Sequence, residues 1–184
     1  MRHSEHPGKF NGGAPAWSGR PAGNVEPNRA ARPNSVTTMR LKQRLPFLRW
    51  SFWRLAIGAR NITKTGQIGD GRESAAADYV VANARQGDID DAIAKVDEFA
   101  YEKSLLINIG DEKGELLDAA VRRANPSLAL ELGTYCGYSS LRIARAAPSA
   151  KVFSVERSAA NAEVAQRIWA QAGIADRVTC VVGR

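Results

Sequence analysis

The sequence is poor in cysteine and histidine, and neither residue is spaced for metal binding. Cys136 and Cys180 are the only two cysteines among 184 residues, and they stand far apart along the chain. The only two histidines are His3 and His6, outside every regular pattern, where a catalytic role is not expected. A disulfide framework is therefore not indicated, and the default location is a reducing cytoplasm.

Long apolar runs are also missing. Residues 1–38 are rich in Gly, Pro, Asn and Arg and lack the continuous apolar core of a secretory signal. A segment of this kind buries too little surface to offset the entropy of ordering, so we predict a disordered basic tail. Residues 40–60 are more apolar, but the stretch is too short and too charged to span a bilayer.

Acidic residues are scarce at the front of the chain. Residues 1–64 contain 12 Lys and Arg but only 2 Asp and Glu. Residues 65–184 contain 14 Lys and Arg and 17 Asp and Glu. The basic character therefore belongs to the first third. We expect no nucleic-acid partner, because a nucleic-acid groove should be built into the fold itself.

The segment 39–64 has the pattern of a basic amphipathic helix. Pro46 suits a first helical turn, and apolar side chains recur after it at helical spacing, widened by Trp50, Trp53 and Ile57. Two interpretations stay open. The helix packs on the following domain through its tryptophans, or it lies in a membrane interface as a peripheral contact.

Residues 65–184 show the alternation of one α/β domain. Apolar periodicity and caps predict three helices before the first strand, the third with Leu116, Leu117, Ala120 and Val121 inward. Short strands then alternate with helices, which predicts a doubly wound parallel sheet behind a helical N-terminal layer. The predicted helices are 73–85, one that Asp88 caps and that runs through Ala100, about 112–123, about 138–146, and one that Ser158 caps. The predicted strands are 128–132, 151–156 and about 177–183.

The turn "ELGTYCGYSS", after the first strand, is the candidate ligand site. In a parallel sheet, ligands lie beyond the carboxyl ends of the strands. Gly133 lets the chain bend, and Glu156 follows it by 23 positions at the end of the second strand, where an acid can accept ribose hydroxyls. Glu131 beside the turn repels phosphate and suits a cation, which favours S-adenosylmethionine over NAD.

Two motifs at their observed separation, "IGDEKG" and "ELGTYCGYSS", resemble catechol O-methyltransferase. The resemblance runs from about Leu55 to the end of the chain. It implies a Rossmann-like class I methyltransferase fold, S-adenosylmethionine as cofactor, Mg²⁺, and a small catechol-like acceptor methylated on a hydroxyl.

The resemblance also implies roles for particular residues. The Ile109 backbone and Glu131 lie beside the methionine end of the cofactor, Ser139 holds its carboxylate, and Glu156 takes the ribose hydroxyls. Arg157 stands near the adenine, where the family usually has an apolar residue. The residues implied to bind the cofactor are Ile109, Glu131, Gly133, Tyr135, Ser139 and Glu156.

The family's metal ligands and lysine base belong to the ends of later strands. Only three strands can be counted before Arg184, so we expect a fold truncated after the third strand. We then expect no catalytic or metal-binding residue in this chain, and no catechol methylation by the chain alone. A non-catalytic remnant and a membrane-associated, partner-binding fragment are the alternatives.

Overall fold

The structure is a computed structural model that describes residues 50–183. The predicted tail, residues 1–38, and the beginning of the predicted basic helix, residues 39–49, lie outside the described residues. Helices, one π-helical turn and three strands follow in the order α1 Trp50–Thr65, α2 Arg72–Asn83, α3 Ile89–Glu98, π turn Phe99–Lys103, α4 Gly110–Ala124, β1 Leu128–Leu132, α5 Tyr138–Ala146, β2 Lys151–Glu156, α6 Ala159–Gln171 and β3 Val178–Val182.

The three strands form one parallel sheet in the order β1-β2-β3. Leu130 pairs with Phe153, and Phe153 with Thr179. Helices α5 and α6 connect the strands and pack against the sheet, α2 packs on α6, and α4 packs on α5. The predicted α/β class, with its Rossmann-like parallel sheet and preceding helical layer, is confirmed.

The core lies between the sheet and the helices that pack on it. Leu141, Ile168 and Trp169 are buried there against Val152 of β2. Among the described residues, the opposite face of the sheet is exposed, and most of its side chains are apolar, with Lys151 and Thr179 as polar exceptions. Its exposed large side chains are Leu128, Leu130, Leu132, Phe153 and Val181.

Two predicted helix bounds near residue 100 need correction. The α-helical part of α3 ends at Glu98, and Ala100 belongs to the π-helical turn. Helix α4 begins at Gly110, two residues before the predicted start. Tyr101 of the π turn donates a hydrogen bond to Asp111 at the beginning of α4, so the two segments are tied together.

The inward face of α4 is partly polar, so the prediction of an apolar face is only partly correct. Leu117 and Val121 pack against the core as predicted. Leu116 is 72% exposed and Ala120 is exposed, whereas Gly114 and Asp118 are buried. The reason is Arg142 of α5, whose Nη2 lies 2.7 Å from Asp118 Oδ2 and whose guanidinium fills the space above Gly114. Burial opposes ionisation, but the hydrogen bonds from Arg142 and Arg145 hold the pKa of Asp118 below its usual value.

Helix α1 contacts the domain mainly through polar groups. Trp50 and Trp53 are 73% and 53% exposed, so burial of the tryptophans against the domain, which one interpretation expected, is not observed. The contact runs through Asn61, whose Nδ2 donates to Ile68 O, and through Arg157, which donates to Ile62 O. Within residues 50–183, no helix is long and apolar enough to cross a bilayer.

Candidate functional site

The turn between β1 and α5 has a left-handed backbone at three positions. Gly133, Tyr135 and Gly137 have φ of 94°, 49° and 77°. At Gly137 a side chain is also excluded by space, because an added Cβ would lie 2.5 Å from Trp169 Nε1. The Trp169 indole N–H donates to the Gly137 carbonyl at 3.0 Å, which anchors the start of α5 to α6.

Glu156 joins the end of β2 to this turn. Its Oε2 accepts hydrogen bonds from the backbone N–H groups of Thr134 at 3.1 Å and Tyr135 at 2.9 Å, and its Oε1 accepts from Ser158 N–H at 2.9 Å. A carboxylate offers about four acceptor positions, so a further donor can still bind Oε1. The side chain is 6% exposed, and the three N–H groups compensate the burial of its charge.

Glu131 lies in β1 below the turn. Its Oε2 accepts hydrogen bonds from the hydroxyls of Ser140 and Ser154, and its buried Oε1 has no hydrogen-bond partner in the described part of the chain. Burial raises the pKa of Glu131, although the neighbouring serine hydroxyls oppose the shift. The structure thus holds an incompletely satisfied carboxyl group beneath the turn.

Tyr135 is fixed at both ends. Its backbone N–H donates to Glu156, and its hydroxyl donates to Glu73 Oε1 at 3.0 Å. Glu73 is 1% exposed and also accepts from Ile68 N–H at 3.0 Å. Sequence reasoning missed Glu73; the signal was an acid preceding the buried stretch Ala76, Ala77 and Val80 on α2.

Two cavities flank the turn, and Gly133 and Tyr135 line both. The larger cavity, of about 440 Å³, reaches Glu156 and Arg157 at the end of β2 and Ile62 on α1. The smaller, of about 230 Å³, is lined on its other sides by Ile107, Asn108, Ile109, Lys113, Thr134, Cys136, Tyr138 and Ser139. A third cavity, of about 470 Å³, lies beside α1 and away from the turn.

The structure gathers five of the six predicted cofactor residues around these two cavities. Ile109 and Ser139 line the smaller cavity and Glu156 the larger, with Gly133 and Tyr135 between them. Glu131 lines neither cavity, because Ser140 and Ser154 enclose it.

Three further observations bear on the chemistry of the site. Cys136 is 1% exposed, and burial raises the pKa of its thiol, which disfavours the thiolate that a nucleophilic cysteine needs. Asn108 lines the smaller cavity, and its buried Nδ2 has no hydrogen-bond partner among residues 50–183. Over the same residues, no group of three or more His, Cys, Asp or Glu side chains converges as a metal ion would require.

Comparison with known proteins identifies the relatives of this chain. Residues 86–184 match the family model described as O-methyltransferase. The Mycobacterium tuberculosis protein described as "Probable O-methyltransferase" is 71% identical over 129 residues, which cover 70% of this chain and 55% of that protein. Bovine catechol O-methyltransferase is 36% identical over 117 residues, covering 63% of this chain and 43% of the bovine enzyme.

Solved structures give a weaker likeness. The Streptomyces achromogenes O-methyltransferase TomG, solved in complex with SAM, is 33% identical with a TM-score of 0.45, over 50% of this chain and 43% of that one. The chain spans about half the length of the curated relatives that it matches. The family model nevertheless covers more than half of the chain, which therefore belongs to the O-methyltransferase family.

Proposed function

We propose that the turn between β1 and α5 binds S-adenosylmethionine and that the chain serves in methyl transfer to the hydroxyl of a small catechol-like acceptor. The observation that carries the proposal is the position of Glu156. Its carboxylate is hydrogen-bonded to the backbone of the turn and lines the larger of the two cavities that the turn separates. An extended ligand with a nucleoside end and an amino-acid end suits this pair of cavities.

The larger cavity suits the adenosine end. Glu156 Oε1 has room for a ribose hydroxyl donor, and Arg157 and Ile62 provide the walls on which a base can stack.

The smaller cavity suits the amino-acid end. The unsatisfied Asn108 amide, the Ser139 hydroxyl and the Lys113 ammonium line one cavity, and all three can donate hydrogen bonds to a carboxylate. When bound, S-adenosylmethionine supplies an electrophilic methyl group on a sulfonium. Tyr135, held by Glu73 and Glu156, stands between the two cavities and fixes the passage in which the middle of the ligand would lie.

The assignment of the acceptor as a catechol rests on the motif resemblance and on relatives that are named catechol O-methyltransferases. Magnesium belongs to the same expectation. The family relationship supports the reaction class more strongly than the substrate, because the matched relatives are about twice as long as the matched region.

Calorimetric titration of the full chain with S-adenosylmethionine tests the proposal, with Glu156→Ala as the variant. Losing charge-assisted hydrogen bonds worth about 1.5–3 kcal/mol should raise Kd by about 10–150-fold. Glu163→Ala, an exposed acid on the same helical side of the sheet, is the matched control and should leave Kd unchanged. NAD should not compete. An equal Kd for the parent chain and Glu156→Ala, with both chains folded, would remove the assignment.

A further inference from the structure

Helix α1 exposes an apolar stripe formed by Trp50, Trp53 and Ile57. The three residues recur at i, i+3 and i+7, and they are 73%, 53% and 77% exposed. Single exposed apolar residues are common on protein surfaces. Two tryptophans and an isoleucine on one helical face are a contiguous patch of the kind that marks an interaction site.

The stripe stays exposed although neighbouring residues fix α1 to the domain. Gly58 packs so closely on Ile68 that an added Cβ would lie 2.7 Å from its side chain. Asn61 donates to Ile68 O, and Arg54 Nε lies 3.3 Å from Asp70 Oδ2. The helix is therefore held on the domain while Trp50, Trp53 and Ile57 remain largely exposed.

The charge of the segment indicates what the stripe binds. Residues 40–64 contain seven Lys and Arg and no Asp or Glu. Two copies of such a helix would repel each other, which disfavours self-association through the stripe. An anionic lipid surface complements both properties, since basic residues bind its headgroups and tryptophan prefers the boundary between headgroups and acyl chains.

We propose that α1 lies in the interface of an anionic bilayer. Trp50, Trp53 and Ile57 enter the boundary region, while Lys64, exposed at the end of the helix, stays at the level of the headgroups. This inference goes beyond the proposed methyl transfer and does not depend on it, because the stripe and the two cavities at the turn share no residue.

The test is sedimentation of the full chain with phosphatidylcholine vesicles that contain or lack phosphatidylglycerol. We expect binding only to the anionic vesicles, a loss of binding as salt rises, and a blue shift of tryptophan emission on binding. The variant Trp50→Ser/Trp53→Ser/Ile57→Ser should lower the partition coefficient by about tenfold or more. Lys64→Glu, which leaves the stripe intact, should lower it by at least about fivefold.

Leu116→Ser is the matched control, because Leu116 is 72% exposed on α4 and should not affect binding. Thermal unfolding checks that each variant is folded. The proposal is overturned by equal binding to neutral vesicles, by no binding to anionic ones, or by a triple variant that binds as the parent does. It is also overturned if sedimentation without vesicles shows a dimer that the triple variant dissociates, since the stripe is then a self-interface.

Discussion

The two faces of the sheet differ in character, and the buried acids lie on the face that is covered. Along β2, Val152, Ser154 and Glu156 are buried toward the helices, whereas Phe153 is 41% exposed on the other face. Glu131 of β1 also points toward the helices. The open face carries leucine, phenylalanine and valine, a composition that proteins normally bury.

The covered face tolerates buried acids because most of their oxygens accept hydrogen bonds, with Glu131 Oε1 as the exception among the described residues. Ser154 donates to Glu131 and lies 2.6 Å from Thr134 Oγ1, while Glu156 accepts from the backbone of the turn. Parallel sheets are usually covered on both faces, and an apolar open face favours association. The comparison separates two roles: the covered face organises the candidate site, and the open face sets the tendency of the chain to associate.

The largest expected effect comes from breaking the charge pair behind the covered face. Asp118→Ala leaves the buried Arg142 without its partner, which should lower the free energy of unfolding by about 3–5 kcal/mol. Asp78→Ala, which removes an exposed partner of Arg167, should change it by at most about 1 kcal/mol. Urea denaturation of both variants measures the difference, and equal midpoints would show that the Asp118 pair contributes no more than a surface pair.

A matched leucine pair tests the comparison directly. Leu141 is fully buried on α5 over the covered face, and Leu130 is 69% exposed on the open face. Leu141→Ala should cost about 2–5 kcal/mol, whereas Leu130→Ala should stay within about 0.5 kcal/mol and reduce self-association. If Leu130→Ala destabilises as strongly as Leu141→Ala, the open face is covered in solution.

The smallest effect depends on pH and concerns Asp97 at the end of α3. Burial raises the pKa of Asp97 to about 6, with Asp111 adding to the shift while the Tyr138 hydroxyl, Arg142 and Arg145 oppose it. Between the ordinary aspartate pKa of 3.8 and about 6, the folded protein holds this proton more tightly than the unfolded chain does. Stability should therefore fall as pH rises through this window.

Asp97→Asn removes that penalty. It should stabilise the protein by about 1–2 kcal/mol at pH 8, and the gain should vanish near pH 4. Urea denaturation midpoints at pH 8 and near pH 4 measure this gain in stability, with Asp90→Asn at an exposed position as control. A gain of the same size at both pH values would exclude ionisation of Asp97 as its source.

The sequence predicted most accurately the features that depend on neighbouring residues. The bounds of β1 and β2 are confirmed, as are the N-caps Asp88 and Ser158. These features arise from short-range patterns of apolar residues and from side chains that bond the adjacent backbone.

Features that depend on distant residues could not be read in the same way. Leu116 looked like a core residue because its spacing is helical, but the inward face of α4 is decided by Arg142, which lies elsewhere in the sequence. Glu73 and Tyr135 are 62 positions apart, so only the tertiary fold joins them at the candidate site. The structure places Ile109, Ser139 and Glu156 around the turn. That these residues bind the cofactor stays a prediction, which titration with S-adenosylmethionine tests.

The closeness of Gly114 to Arg142 also couples the residues that these two positions can accept. An added Cβ at position 114 would lie about 2.5 Å from the Arg142 guanidinium, so alanine there requires the guanidinium to move from its contact with Asp118. Alanine would improve the helix by about 1 kcal/mol in isolation, so the glycine is kept against local preference. Shortening Arg142 would make room for that alanine, and Asp118 would then keep only its contact with Arg145. Changes at the two positions are therefore expected to be coupled.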